Sequence, residues 1–181
     1  MLVGVCVFVL TLAVAPYYIS GDQRSYINSY DGIADLSLAE GFAFYAATLG
    51  STEIVHYLLT WLTSGFGIEK NFVMAVSNAL LAYFSMRVFE KWRASVLVAV
   101  AIVITNFYMF VLYFAAERLK FGFLFLSVSI LYLGQSKRFY MLVVLAVFLH
   151  IQVLLAYASM FFAQLVKNTV RFFKTLQLSL K

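Results

Sequence analysis

Apolar residues along this chain come in long blocks separated by short polar ones. The blocks are too long for strands and too uniformly apolar for the one-sided stripe of a soluble helix. The first block ends at Ile19, and Ser20 to Glu40 is the only long polar stretch, with Asp22, Arg24, Asp31, Asp35 and Glu40 set among Tyr26 and Tyr30. It reads as a loop on one membrane face, with a short helix starting near Asp35. The weakly apolar segment from Gly41 to Gly67 is interrupted by Ser51, Thr52, Glu53 and His56. Such a segment is a poor lipid-facing span and suits an interfacial or re-entrant helix lining a cavity. Asn71 to Met86 ends in Arg87 and the cluster Glu90-Lys91-Trp92-Arg93, and Ala94 to Ala116 is uncharged up to Glu117-Arg118. After Phe121 to Gly134 and the basic turn Lys137-Arg138, the run from Phe139 to Val166 is too long for one simple crossing, so it tilts strongly or breaks at His150.

The expected fold class is an all-α, polytopic integral membrane helix bundle of about five to six transmembrane helices plus an interfacial or re-entrant helix. One membrane domain covers 1–181. Within it we expect transmembrane helices over 1–19, 70–88, 94–116, 119–134 and 139–166, and an outer-face loop over 20–53. Residues 54–67 form the re-entrant, interfacial or transmembrane helix, and 167–181 a basic tail with Phe172 and Phe173 toward lipid. The first block invites a signal-peptide reading, but it lacks a basic n-region, and Pro16 directly follows the Ala13-Val14-Ala15 cleavage box. A retained helix is preferred.

Composition narrows the class. Hydrophobic residues make up 64% and charged residues 12% of the chain, against roughly 45–50% and about 25% in soluble domains. The single cysteine, Cys6, excludes a disulfide framework and a cysteine zinc site. The net charge of +5 is scattered along the chain, so the basic residues serve topology and lipid headgroups, with no nucleic-acid partner. Arg87 to Arg93 and Lys137-Arg138 lie on one side if Gly41 to Gly67 does not cross fully. Short basic loops favour the cytoplasm, which places the Ser20 to Glu40 stretch, Glu53 and Glu117-Arg118 on the outer face.

Charges this close to lipid usually face a bundle interior or a wet cavity. Arg24, Glu53, His56, Arg118 and His150 lie in distant parts of the chain and are candidates to surround one outer-face pocket, with Glu117 beside Arg118. An arginine fork suits phosphate, and a carboxylate can take a proton from a sugar hydroxyl. The set fits a lipid-linked, phosphate-bearing substrate arriving from the outer leaflet. Structural readings stand beside these. Arg118 is equally suited to snorkel at the interface, Arg24 to sit solvated, and Glu53 to cap the helix after Ser51-Thr52. His56 is placed to pair with Glu53 one turn away, and His150 to bond a neighbouring helix. Two distant histidines without clustered carboxylates are a poor metal set, and no motif implies a cofactor.

Three stretches carry a resemblance: Asp22 to Tyr30; Ser51-Thr52-Glu53-Ile54-Val55-His56-Tyr57-Leu58-Leu59; and Arg118 onward through Phe121-Gly122-Phe123-Leu124, Tyr132-Leu133, Lys137, Leu145-Ala146 and Leu149-His150. In order and spacing they resemble the EpsG-like family of exopolysaccharide and O-antigen (Wzy-type) polymerases. Ile54 stands where that family has proline after its glutamate. The resemblance is to a short form matching the N-terminal half of the family. It implies a multi-pass protein of the bacterial inner membrane that joins undecaprenyl-pyrophosphate-linked oligosaccharide repeats without metal or cofactor. Arg24 and Arg118 would hold pyrophosphate, and Glu53 and His150 would be catalytic, supported by His56 and Glu117. The other partners implied are the bilayer and a second membrane subunit or other polysaccharide-assembly proteins. The alternative is a truncated, non-catalytic partner of a glycan-assembly complex. A small transporter is weaker, since no internal repeat is visible.

Overall fold

The computed structural model describes residues 1–179, apart from the side chains of Ser136 and of residues 172–179. Every regular element among the described residues is helical. The centre is α5 (Lys70–Lys91), flanked by α1 (Leu2–Val14) and α8 (Glu117–Leu131). α1 runs antiparallel to α5: Gly4 lies against Ala79 and Tyr83, and Phe8 meets Phe72 edge-on. A side chain at Gly4 would come within 3.1 Å of the Ala79 carbonyl, so the small residue lets the two backbones approach. Asn78 of α5 donates to the Thr11 hydroxyl at 3.0 Å and to the Tyr113 carbonyl at 2.9 Å, tying three segments together where lipid offers no partner.

The long apolar run over 94–116 bends by 51° instead of crossing straight. α6 (Val96–Thr105) stops at Asn106, whose side chain accepts from the Tyr108 amide at 2.9 Å and caps α7 (Phe107–Phe110), which continues as a π turn through Val111–Ala115. Tyr113 closes the bend by donating to the Val103 carbonyl at 3.0 Å. The first run also turns: Pro16 sits in a short 3₁₀ turn, and α2 (Asp22–Gly32) leaves at 92°.

The stretch over 20–53, expected as a loop, is mostly helix. α2 buries Gln23, Tyr26, Ser29 and Tyr30 on one face. α3 (Leu38–Leu49) starts at a capping box in which Ser37 and Glu40 bond reciprocally, and it ends at left-handed Gly50. The Ser37 hydroxyl, and then its amide, hold the Glu40 carboxyl below the usual carboxylate range. The buried face of α2 is polar and aromatic, so a search for apolar periodicity passes over it. α4 (Ile54–Gly65) follows.

After α8 come α9 (Ser136–Leu149) and α10 (Val153–Ser179), separated by a break at His150 whose backbone is extended. Two helices, Lys70–Lys91 and Val153–Arg171, are long and apolar enough to cross a membrane, or up to four if each bent pair forms one span. α8 has 15 residues and α9 has 14, short of the roughly 20 needed for a crossing. By length alone this falls below the expected five to six spans, but the architecture is that of a helical membrane protein. The side chains of Phe172, Phe173, Lys174 and Lys181, assigned to the basic tail, lie outside the described residues.

Charge divides the bundle into two ends. At one, Lys91 donates to the Ile130 and Leu131 carbonyls at 2.8 Å each, capping α8 beside the Lys137-Arg138 turn. At the other, the start of α5 meets α2 and the start of α8, and α8 lies against the His150 break.

Candidate functional site

The polar end collects side chains from four separate segments. Glu53 precedes α4, and its carboxylate makes no bond to that helix terminus. It accepts from Ser51 Oγ at 3.2 Å and faces two other groups: Arg118 Nη1 at 3.4 Å and His150 Nδ1 in a short hydrogen bond. Arg118, in the first turn of α8, also donates from Nε to the Tyr26 hydroxyl of α2 at 3.1 Å, its guanidinium 6.0 Å from that ring's centre. The side chains of Glu53, Arg118 and His150 are 18%, 26% and 15% exposed. They are partly buried in the protein and still reachable.

A glycine delivers His150. A β-carbon at Gly122 would lie 2.5 Å from Val153 Cγ2 and 3.2 Å from His150 Cβ. Gly122 stands one turn beyond Arg118 on α8. Its missing side chain lets the α9–α10 break press against α8 at the height of the arginine.

The structure therefore brings together three of the residues singled out by sequence: Glu53, Arg118 and His150. His56 is buried close by but bonds elsewhere, its Nδ1 2.8 Å from the Tyr45 hydroxyl and its ring against Phe121. Glu117 turns away from Arg118 to pair with Lys70 at 2.5 Å, and Lys70 also donates to Gln23 Oε1 at 3.1 Å. Arg24 does not join the group. It is exposed on α2, and its side chain makes no hydrogen bond or ion pair with the described residues. Two residues on a helix span about 200°, so with Tyr26 turned inward Arg24 points away.

Sequence reasoning missed Tyr26 as an arginine partner, Lys70, Gln23 and Gly122. Tyr26 and Gln23 carried a signal in the three- and four-residue spacing of 23, 26 and 30. Lys70 had a weaker one, as a lysine opening a span with no basic neighbour.

A carboxylate only accepts, so His150 Nδ1–H donates to Glu53, leaving Nε2 as the ring nitrogen with no partner among the described residues. A histidine oriented by a carboxylate beside an arginine can move a proton and offset developing negative charge. Among the described residues no group of three or more His, Cys, Asp or Glu could hold a metal ion.

The family model described as the EpsG family matches residues 1–180, essentially the whole chain. The chain belongs to this family of polysaccharide polymerases. No curated protein and no solved structure matches it.

Proposed function

We propose that this member of the EpsG family is a glycosyltransferase that joins undecaprenyl-pyrophosphate-linked oligosaccharide repeats in O-antigen or exopolysaccharide synthesis. It would work at the outer leaflet of the bacterial inner membrane, with the basic loops in the cytoplasm. The observation that carries the reading is the meeting of Glu53, Arg118 and His150 from segments far apart in the chain.

In this reading Glu53 orients the imidazole and His150 Nε2 takes the proton from the acceptor hydroxyl. The new oxygen–carbon bond forms at the donor's anomeric carbon as its bond to the pyrophosphate oxygen breaks. The leaving lipid pyrophosphate keeps the electron pair. Arg118 has one terminal nitrogen uncommitted among the described residues, and its two N–H groups can bind that developing charge. Arg24, on the far side of α2, is left without a role at the pyrophosphate.

The test is complementation of a bacterium lacking its own polymerase, with the extracted glycan run on a gel. The wild-type chain should restore a ladder of repeats. Arg118→Ala should give a single-repeat band with the protein still in the membrane. A wild-type ladder from that variant sinks the site assignment. A single-repeat band from wild type, with the protein in the membrane, favours a non-catalytic partner.

A further inference from the structure

Beside the Arg118 group lies a recess of about 90 Å³ lined by Asp22, Ser25, Tyr26, Thr48, Leu49 and Arg118. It opens between the first turn of α2, the end of α3 and the start of α8. We propose that this recess binds the hydroxyl-bearing edge of a neutral sugar ring. The proposal rests on the glycan reading above and deepens it.

Three features select that ligand. First, the polar groups are uncommitted: the Asp22 carboxylate and the Ser25 and Thr48 hydroxyls make no hydrogen bond with the described residues. A carboxylate accepts from two hydroxyls at once, and serine and threonine hydroxyls both donate and accept, which matches a vicinal diol. Second, the size fits an edge. The recess has room for a few hydroxyl-sized groups, with Leu49 and Tyr26 supplying apolar lining beside them. Third, the charge is wrong for a bare anion. A phosphate seated here would face Asp22, whereas a neutral ring donates its hydroxyls to the carboxylate and accepts from the arginine. Arg118 thus separates two environments, the Glu53–His150 pair on one side and the recess on the other. A ring held in the recess lies beside the residues assigned to the reaction.

The test uses the full chain in detergent micelles and, as probe, the free repeat-unit oligosaccharide released from the polymer of the strain that carries it. Saturation-transfer NMR reports which ring protons touch protein. Wild type should give a signal that inorganic pyrophosphate does not displace. Asp22→Asn with Thr48→Val should weaken binding by about tenfold or more, as loss of a hydrogen bond to a charged group does. Asn28→Ala, exposed on the same helix, should change nothing. A double variant that binds like wild type overturns the subsite and leaves the glycan reading standing, because the oligosaccharide then binds elsewhere. Displacement by pyrophosphate overturns it in favour of an anion site. No signal from wild type also overturns it, and the polymer ladder from the same chain decides separately whether the glycan reading falls.

Discussion

Glu117 and Arg118 are neighbours in the chain and belong to two ionic groups of different kinds. Glu117 pairs with Lys70, the two side chains 10% and 11% exposed, and Gln23 completes the group. Gln23 in turn donates to the Phe114 carbonyl at 2.5 Å, so the cluster ties α2, α5, the π turn and α8 together. Buried Lys120 also feels the charge of the same carboxylate. Arg118, Glu53 and His150 are more exposed and keep a guanidinium nitrogen and an imidazole nitrogen free of described partners. The first group is closed and holds helices. The second is open, with unused donors and acceptors where a ligand can reach them. Ionisable residues at membrane depth suggest function by default, and here completeness of pairing and exposure separate the two roles.

Removing each neighbour in turn separates the two roles. Arg118→Ala should abolish polymer, a loss on the order of 10²-fold or more, with normal amounts of protein and an unchanged melting temperature. Glu117→Ala should do the reverse. It leaves Lys70 buried without its anion, costing about 3–5 kcal/mol, and the protein should fall in the membrane fraction before its activity can be judged. Thermal melts of both variants beside their polymer ladders decide. If Arg118→Ala unfolds the chain and Glu117→Ala leaves it stable, the assignment of roles is inverted.

Within the open group, His150→Gln keeps a donor for Glu53 but removes the basic Nε2. Polymer formation should fall by about 10²- to 10³-fold, in the range of a lost general base, with stability unchanged. A variant with full activity would leave His150 an orienting or structural residue.

Gly122→Ala tests how the open group is assembled. The added β-carbon runs into Val153 Cγ2, a stiff β-branched side chain, and overpacking of this kind typically costs about 1–3 kcal/mol. His150 should be pushed from Glu53, reducing polymer. Adding Val153→Ala removes the clashing methyl and should restore the ladder. A double variant as inactive as the single one would show that Gly122 serves something other than this approach.

The membrane character and the family were legible in the sequence because both are written in long apolar runs and ordered short motifs. The meeting of Glu53 with His150, 97 residues apart, was legible only through the order of those motifs, since no local periodicity links such distant positions. α2 was not legible as a helix: its inward face is Gln23, Tyr26, Ser29 and Tyr30, and Gln23, Tyr26 and Tyr30 are held by hydrogen bonds that hydropathy does not register. The same fact misplaced Arg24, because a loop imposes no face and a helix does. Lys70 and Glu117 each looked like the charged flank of a span. Only packing shows that the two flanks face each other.

A third carboxylate extends the comparison to full exposure. Glu40 bonds only within its own helix start, accepting from the Ser37 hydroxyl and amide. That contact lowers its carboxyl in the folded chain, so its contribution to stability is present above the unfolded pKa, in the usual carboxylate range. The contribution is lost as pH falls through the lower folded value. Ser37→Ala should remove the capping box, lower the melting temperature slightly at neutral pH and shrink the further loss on acidification. Polymer formation should not change, since this pair lies on an exposed helix start and bonds nothing beyond it. Melts at neutral and acid pH, read beside the ladder, check both halves. Loss of polymer from this variant would mean that exposure and local pairing do not separate structural from chemical charges in this molecule.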